Sequence, residues 1–455
     1  MKKCRIRFLA GILCVLLVIF SLLSSGCALF EREAPSKDQL SENITRPDGK
    51  WSSVARYLYE WEFPTFNDDK FLAVEQCVEA YYCGELPTKY EMAKTCADLF
   101  VEHFYDKVDL YNRSEVTDAL LTCYMASFGD GYAAYRNASA YEDFTGDMSG
   151  QNKFVGIGIR VRKSKEGLPY VLSVINGSPA EAVGIKRGDV IISVDDVIAE
   201  ESGYEETVDR ISGPEGESVS VTIRRQDELI TLKPNRRSVA DATVLYSMDE
   251  ATGYGLIEIV SFKEKTAADF KEAIDALESG GAEGIIFDLR NNLGGMLESV
   301  VNMISYLVDD SLPVVSYKYN GKPETKLNSG TDGHAVKLPM VVLVNEYTAS
   351  AAEIFTAALR DYELMENVEL DVTIVGKNTF GKGVMQRVFA FPDGSAITVT
   401  VAYYNPPLGV NYHGIGVAPD VTVEDDLSVT GGDAQLKAAF DAMSELVSAP
   451  KNENK

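Results

Sequence analysis

At 455 residues the chain is long enough for two or three domains, and 45 % apolar with 25 % charged residues is an ordinary globular balance. A net charge of −26 argues against nucleic acid as a partner, because phosphate backbones are gripped by basic surfaces. The same charge suits a soluble exported body better than a binder of anionic lipid.

The first residues form a targeting segment. Lys2, Lys3, Arg5 and Arg7 make a basic start, Phe8 to Leu23 an apolar run, and Ser24-Ser-Gly-Cys27 a small-residue exit. Small residues before a cysteine resemble a bacterial lipoprotein signal, which implies cleavage after residue 26 and a lipid on Cys27. The other reading is an uncleaved anchor. Both predict an exported chain held at a membrane and facing outside the cytoplasm. Residues 27–50, polar with scattered Pro and Ser, read as a tether.

Residues 51–150 are predicted to be helical, without chemistry of their own. Runs at Lys70–Ala80, Glu91–Phe100 and Val116–Cys123 repeat apolar residues at spacings of three and four. Cys77, Cys83, Cys96 and Cys123 fall here. Export permits disulfides, and the spacing leaves both free thiols and a structural bridge open.

From 151 to 237 the period changes to that of strands. Val155-Gly156-Ile157-Gly158-Ile159 is a Gly-rich strand start, and Tyr170–Ile175, Gly188–Val194 and Val219–Arg224 are further strands. Ser178–Ile185 is a short helix with its Pro at the first position. This order, with GSPAEAVGIKRGDVIISV, resembles a PDZ domain. Such domains add a peptide as a strand and hold its terminal carboxylate in backbone N–H groups. The resemblance makes Val155 to Ile159 the carboxylate loop and docking strand.

Residues 238–430 alternate strands and helices, which predicts an α/β core. Tyr254–Val260 and Gly284–Arg290 are strands, with an amphipathic helix over Thr266–Glu278 between them. The second strand runs into Asn291-Asn-Leu-Gly294-Gly295, where a glycine pair lets backbone approach a ligand. Pro339–Val344 is a buried strand, Asn345–Thr348 a polar turn, and Ser350–Leu359 a helix. Thr348 or Ser350 can cap that helix, with Glu353 as capping-box acid. Ser350 thus stands on a strand-to-helix turn, where free N–H groups and the helix dipole favour developing negative charge. Ala396–Ala402 is a further core strand, and residues 431–455 hold a closing helix, Asp433–Val447, and a tail.

A serine nucleophile needs a base. None of the three histidines, His103, His334 and His413, stands in a recognisable triad context. Lys382 lies between the neutral flanks Thr379-Phe-Gly and Gly383-Val-Met, where an amine can lose solvation without gaining a counter-ion. Gln386 follows four residues later, within reach of the amine if that stretch is helical.

TASAAE followed by TFGKGVMQ, together with DLRNNLGG, resembles the carboxy-terminal processing (tail-specific) proteases. The likeness covers about Val116 to Val447. It implies Ser350 as nucleophile, Lys382 as general base and Gln386 as its support. It implies an oxyanion hole from the N–H of Gly294 or Gly295 and that of Ala351. Two departures stand out: Tyr347 replaces the family's usual Gly, and extra residues around Glu363 to Asp371 lengthen the Ser-to-Lys stretch. The implied architecture is a multidomain α+β/α/β protein, with a helical N-terminal region and an inserted PDZ domain ahead of a ClpP/crotonase-like protease core. The implied partners are protein or peptide substrates with free apolar C-termini. No metal or cofactor is implied, and a homo-oligomer is compatible with the sequence. Two other classes compete: a non-catalytic, lipid-tethered PDZ adaptor, and a crotonase-like acyl enzyme, which would need a CoA site.

Overall fold

The computed structural model describes residues 53–449, apart from 61, 62, 64, 150–152, 241, 309–310, 320, 331–333, 367 and 431. The targeting segment, Cys27 and the tether lie outside the described residues. No helix among the described residues is long and apolar enough to cross a membrane. The described residues divide into two compact units, those up to 141 with 386–402, and 142–385 with those from 403 on.

The first unit is built on helices Ser53–Glu60, Asp68–Tyr81, Lys89–His103 and Arg113–Ala126. Their starts are set by local chemistry. Asn67 accepts from the Lys70 N–H, Thr88 and Glu91 form a capping box, and Asn112 accepts from Ser114 and Glu115. Phe71, Val74 and Val78 follow helical spacing into a core that includes Tyr124, whose ring meets Phe71 edge-on at 5.2 Å. The chain re-enters this unit at Gln386, and Ala396–Thr398 pairs with strand Ala134–Arg136. The four cysteines are free thiols, Cys96 and Cys123 buried, Cys77 and Cys83 half-buried.

The second unit contains two six-stranded sheets. In one, Ile159–Lys163, Pro169–Val174, Val190–Val194, Val221–Arg225 and Glu228–Leu232 lie side by side, with Val197–Ile198 pairing off Val190–Val194. They close over Ile157, Val171, Ile191 and Ile223, with helix Tyr204–Ile211 beside them. The Gly-rich stretch Val155–Ile159 holds the end of one strand, a turn and the start of the next. Lys153–Gly156 pairs with Arg237–Ala240, Ile159–Lys163 pairs with Pro169–Val174, and Gly158 turns between them at φ +83°. A Cβ on Gly158 would stand 2.4 Å from Ser178 Cβ, so only glycine fits.

The other sheet runs Val244–Asp249, Tyr254–Ile259, Gly284–Asp288, Met340–Val344, Val372–Gly376, Val421–Thr422, parallel after the first pair. Its central strands are apolar throughout because both faces are covered. Ile285, Phe287, Val342 and Val344 face helices Thr266–Ser279, Leu297–Leu307 and Ala351–Glu363. Ile286, Val341 and Leu343 face helix Ala434–Ser448 instead. Gly284–Asp288 and Met340–Val344 are neighbours in register, so the loops after their C-terminal ends meet, the usual place for a site in such a sheet.

An ion cluster fastens that end. The buried Arg290 guanidinium donates to both oxygens of Asp288, at 2.9 and 2.7 Å, and to both of Asp433, at 2.7 and 2.8 Å. Asp433 also caps the last helix through the Leu436 N–H. Burial pushes the Asp288 carboxyl up, but Arg290, joined by Arg187, outweighs it and holds the group well below the usual carboxylate range.

Candidate active site

Ser350 ends the turn after strand Met340–Val344 and begins helix Ala351–Glu363. Its backbone lies at φ 57°, ψ −118°, a region that costs a non-glycine residue about 1–3 kcal/mol. Such a sharp strand-to-helix turn exposes a nucleophile. The surroundings enforce it. The Ala349 N–H donates to the Asn292 carbonyl at 2.9 Å, and Thr348 Oγ1 donates to the Leu289 carbonyl at 2.9 Å. A Cβ on Gly294 would fall 2.7 Å from Ser350 Cβ and 2.8 Å from the Ala351 nitrogen. Gly294 is therefore required for close approach to the serine turn, and Gly295, whose Cβ would fall 2.1 Å from the Phe262 carbonyl oxygen, for close approach to that residue.

Glu353 joins the serine turn to the lysine loop. Its Oε2 accepts from the backbone N–H groups of Ser350 at 2.9 Å and Lys382 at 2.7 Å. Its Oε1 accepts from Thr379 Oγ1 at 2.5 Å and the Gly381 N–H at 2.6 Å. The side chain is wholly buried. Burial raises its pKa, and the four hydrogen bonds offset that only in part. Sequence reasoning saw Glu353 only as a helix cap. It missed the tie to the lysine loop, because three of the four donors lie 26–29 residues away.

The glycine turn offers one donor rather than two. The Gly294 N–H is spent on Asn292 Oδ1 at 2.8 Å, while Asn292 Nδ2 donates to the Ile259 carbonyl at 2.7 Å. The N–H groups of Gly295 and Ala351 donate to no acceptor among the described residues. Asn292, almost fully buried, was not singled out in advance, although it stands two residues before Gly294.

Gln386 departs from expectation. It lies in strand Val384–Ala390, so the helical proximity to Lys382 does not apply. Its Nε2 donates to Thr400 Oγ1 at 3.3 Å.

Leu293, Tyr347, Phe380 and Ile415 are exposed on the loops of this site, Ile415 at 71 %. The Ile415 and Gly416 nitrogens lie 3.1 and 3.0 Å from where a Cβ of Gly381 would be. The rim is therefore apolar around a polar, hydrogen-bonded floor.

In the PDZ-like sheet the N–H groups of Ile157 and Gly158 donate to no acceptor among the described residues. Their carbonyls are engaged, by Ala180 at 2.9 Å and Ile175 at 2.9 Å. Two N–H groups without an acceptor among the described residues, on a loop pinned by its carbonyls, can receive a carboxylate. The next strand is tied to the core: Arg162 is bidentate to Asp425 at 2.9 and 2.6 Å, and Arg160 pairs with Glu258.

Comparison with known proteins agrees with this geometry. Residues 253–423 match the model of peptidase family S41, and 170–225 that of the PDZ domain. The chain is 32 % identical over 338 residues to carboxy-terminal processing protease CtpA of Bacillus subtilis (strain 168), covering 74 % of this chain and 69 % of that protein. It is 31 % identical over 330 residues to a carboxyl-terminal-processing protease of Picosynechococcus sp., covering 70 % of this chain and 77 % of that protein. A solved S41 protease from Bacteroides fragilis NCTC 9343 has the same fold, with a TM-score of 0.56 at 16 % identity, over 82 % of this chain and 97 % of that one. A serine on a strained turn, a lysine loop bound to the same carboxylate, and relatives of this similarity agree: the chain belongs to peptidase family S41, the PDZ-containing carboxy-terminal processing serine proteases.

Proposed function

We infer that the chain is an exported endopeptidase working through a Ser350–Lys382 dyad on protein chains whose free C-termini engage the PDZ domain. The observation that carries this reading is the Glu353 carboxylate, whose single oxygen holds the N–H groups of both Ser350 and Lys382. In the proposed reaction Ser350 Oγ attacks a peptide carbonyl carbon, and neutral Lys382 Nζ takes the hydroxyl proton. The N–H groups of Gly295 and Ala351 receive the oxyanion, since the Gly294 N–H is already spent. The C–N bond breaks as Lys382 returns the proton to the leaving amine. Water, giving a proton to Lys382, then attacks the acyl ester; the C–Oγ bond breaks as Lys382 passes that proton to Ser350 Oγ, and enzyme and acid product are freed.

The apolar rim of Leu293, Tyr347, Phe380 and Ile415 supports substrates with apolar segments at the cut. The Ile157 and Gly158 N–H groups support capture of a C-terminal carboxylate, with Ile159–Lys163 as the strand that the peptide extends. Export and membrane attachment through Cys27 rest on the targeting segment. A mature N-terminus at a lipid-bearing Cys27, read by mass spectrometry, is the expected result; an intact Met1 in membrane fractions would replace it with an uncleaved anchor. The catalytic reading is tested by incubating the full-length chain with an unfolded protein. Wild type is expected to release peptides and Ser350→Ala none; equal release by both would refute it.

A further inference from the structure

We propose that Asp275, Glu278 and His334 form a binding site for a divalent transition-metal ion of the zinc type. Asp275 and Glu278 stand three residues apart on helix Thr266–Ser279, hence on one face. His334 comes from the segment that leads into strand Met340–Val344. Its ring stacks on Tyr306, centroids 3.9 Å apart and planes within 3°. His334 Nδ1 lies 2.8 Å from the Tyr306 carbonyl oxygen. A carbonyl only accepts, so the proton belongs on Nδ1. Nε2 then faces Glu278 Oε2 at 3.1 Å. A neutral imidazole presents a lone pair there and a carboxylate cannot donate, so a cation must stand between them. A proton would suffice for one carboxylate. The second carboxylate favours a metal ion: one ligand atom from each of Asp275, Glu278 and His334 lies within 4.8 Å of the others.

The outer contacts fit the same reading. A metal-bound histidine ordinarily hands its other N–H to a carbonyl, and a ligating carboxylate is itself hydrogen-bonded. Here the Tyr306 carbonyl accepts from Nδ1–H, and the Tyr306 hydroxyl donates to Asp275. Glu278 and His334 keep 31 % and 26 % of their side-chain surface exposed, so an ion can enter. One imidazole with two carboxylates selects zinc over magnesium or calcium and leaves a position for water. Lys271, whose ammonium lies 4.4 Å over the Tyr306 ring, is the nearby opposing charge and moderates affinity. The ion would clamp the segment that feeds the Ser350 strand onto the helix covering that sheet.

The test uses the metal-stripped full-length chain and zinc ions, read by calorimetry and thermal unfolding. Wild type is expected to bind one zinc per chain and to gain roughly 5 °C at about a hundredfold excess over Kd. Magnesium and calcium at the same concentration should leave the transition unmoved. His334→Gln should weaken this binding at least about tenfold, and Glu278→Gln gives the same readout if that variant fails to fold. Absence of a zinc-dependent shift in wild type would leave a histidine–carboxylate contact and overturn the proposal. Undiminished binding in both variants would move the zinc to the thiols and overturn it equally.

Discussion

Glu353 shows how one side chain organises a site without reacting. Both its oxygens are acceptors, and each meets two donors. Glutamine is nearly isosteric but turns one end into a donor facing donors. A buried donor left unpaired costs about 1–3 kcal/mol. Glu353→Gln is therefore expected to lower kcat at least about tenfold, with KM little changed and the fold retained by circular dichroism. Unchanged kcat would mean that the carboxylate merely caps its helix. The strand-to-helix placement of Ser350 was legible because a local pattern builds it. The carboxylate that joins it to the lysine loop was legible only as a cap, since its other donors are brought up by the parallel neighbour of strand Met340–Val344, not by nearby sequence.

Among the elements, the parallel strands were the most legible, because a strand covered on both faces needs an unbroken apolar run, as in Met340–Val344. Strand Val384–Ala390 was not legible. Its half-buried pattern reads equally well as a helix turn, and the strand that forms removes the condition under which Gln386 would lie within reach of Lys382. The Arg290 cluster joins strand Gly284–Asp288 to the last helix and sets an acid limit. Asp288 has a folded pKa below its ordinary value of 3.8, so its contribution is present above that value and is lost as pH falls through the folded one. Wild type should lose stability steeply below about pH 4. Asp433→Asn, which leaves half of a buried guanidinium uncompensated, should cost about 3 kcal/mol at pH 7 by denaturant titration. A change within about 0.5 kcal/mol would show that the pair carries no net stability. For the PDZ sheet, peptide affinity should fall about tenfold or more when a substrate's free C-terminus is amidated, since a charge-assisted bond contributes about 1.5–3 kcal/mol. Calorimetry on the full-length chain reads this directly. Equal affinities would remove the carboxylate from recognition by Ile157 and Gly158.

At the scale of the whole molecule, an acidic chain holds its PDZ domain and the Ser350 turn within one compact unit. Arg162 and Arg160, on the strand proposed to dock the peptide, pair with Asp425 and Glu258 of the catalytic part. Asp425 in turn accepts from Asn345 Nδ2 at 3.4 Å, and Asn345 Oδ1 accepts from the Asn291 N–H at 2.9 Å. The PDZ-like sheet and the turn before Ser350 thus share a hydrogen-bonded frame. The central claim is that Lys382 supplies the base, and the most direct measurement is the cleavage rate of Lys382→Arg beside Lys382→Ala and wild type, on one unfolded substrate with products counted by mass spectrometry. Arginine keeps the charge but cannot be deprotonated in a protein. Both variants are expected to be as inactive as Ser350→Ala. Substantial cleavage by Lys382→Arg would contradict the account and leave the lysine an electrostatic helper.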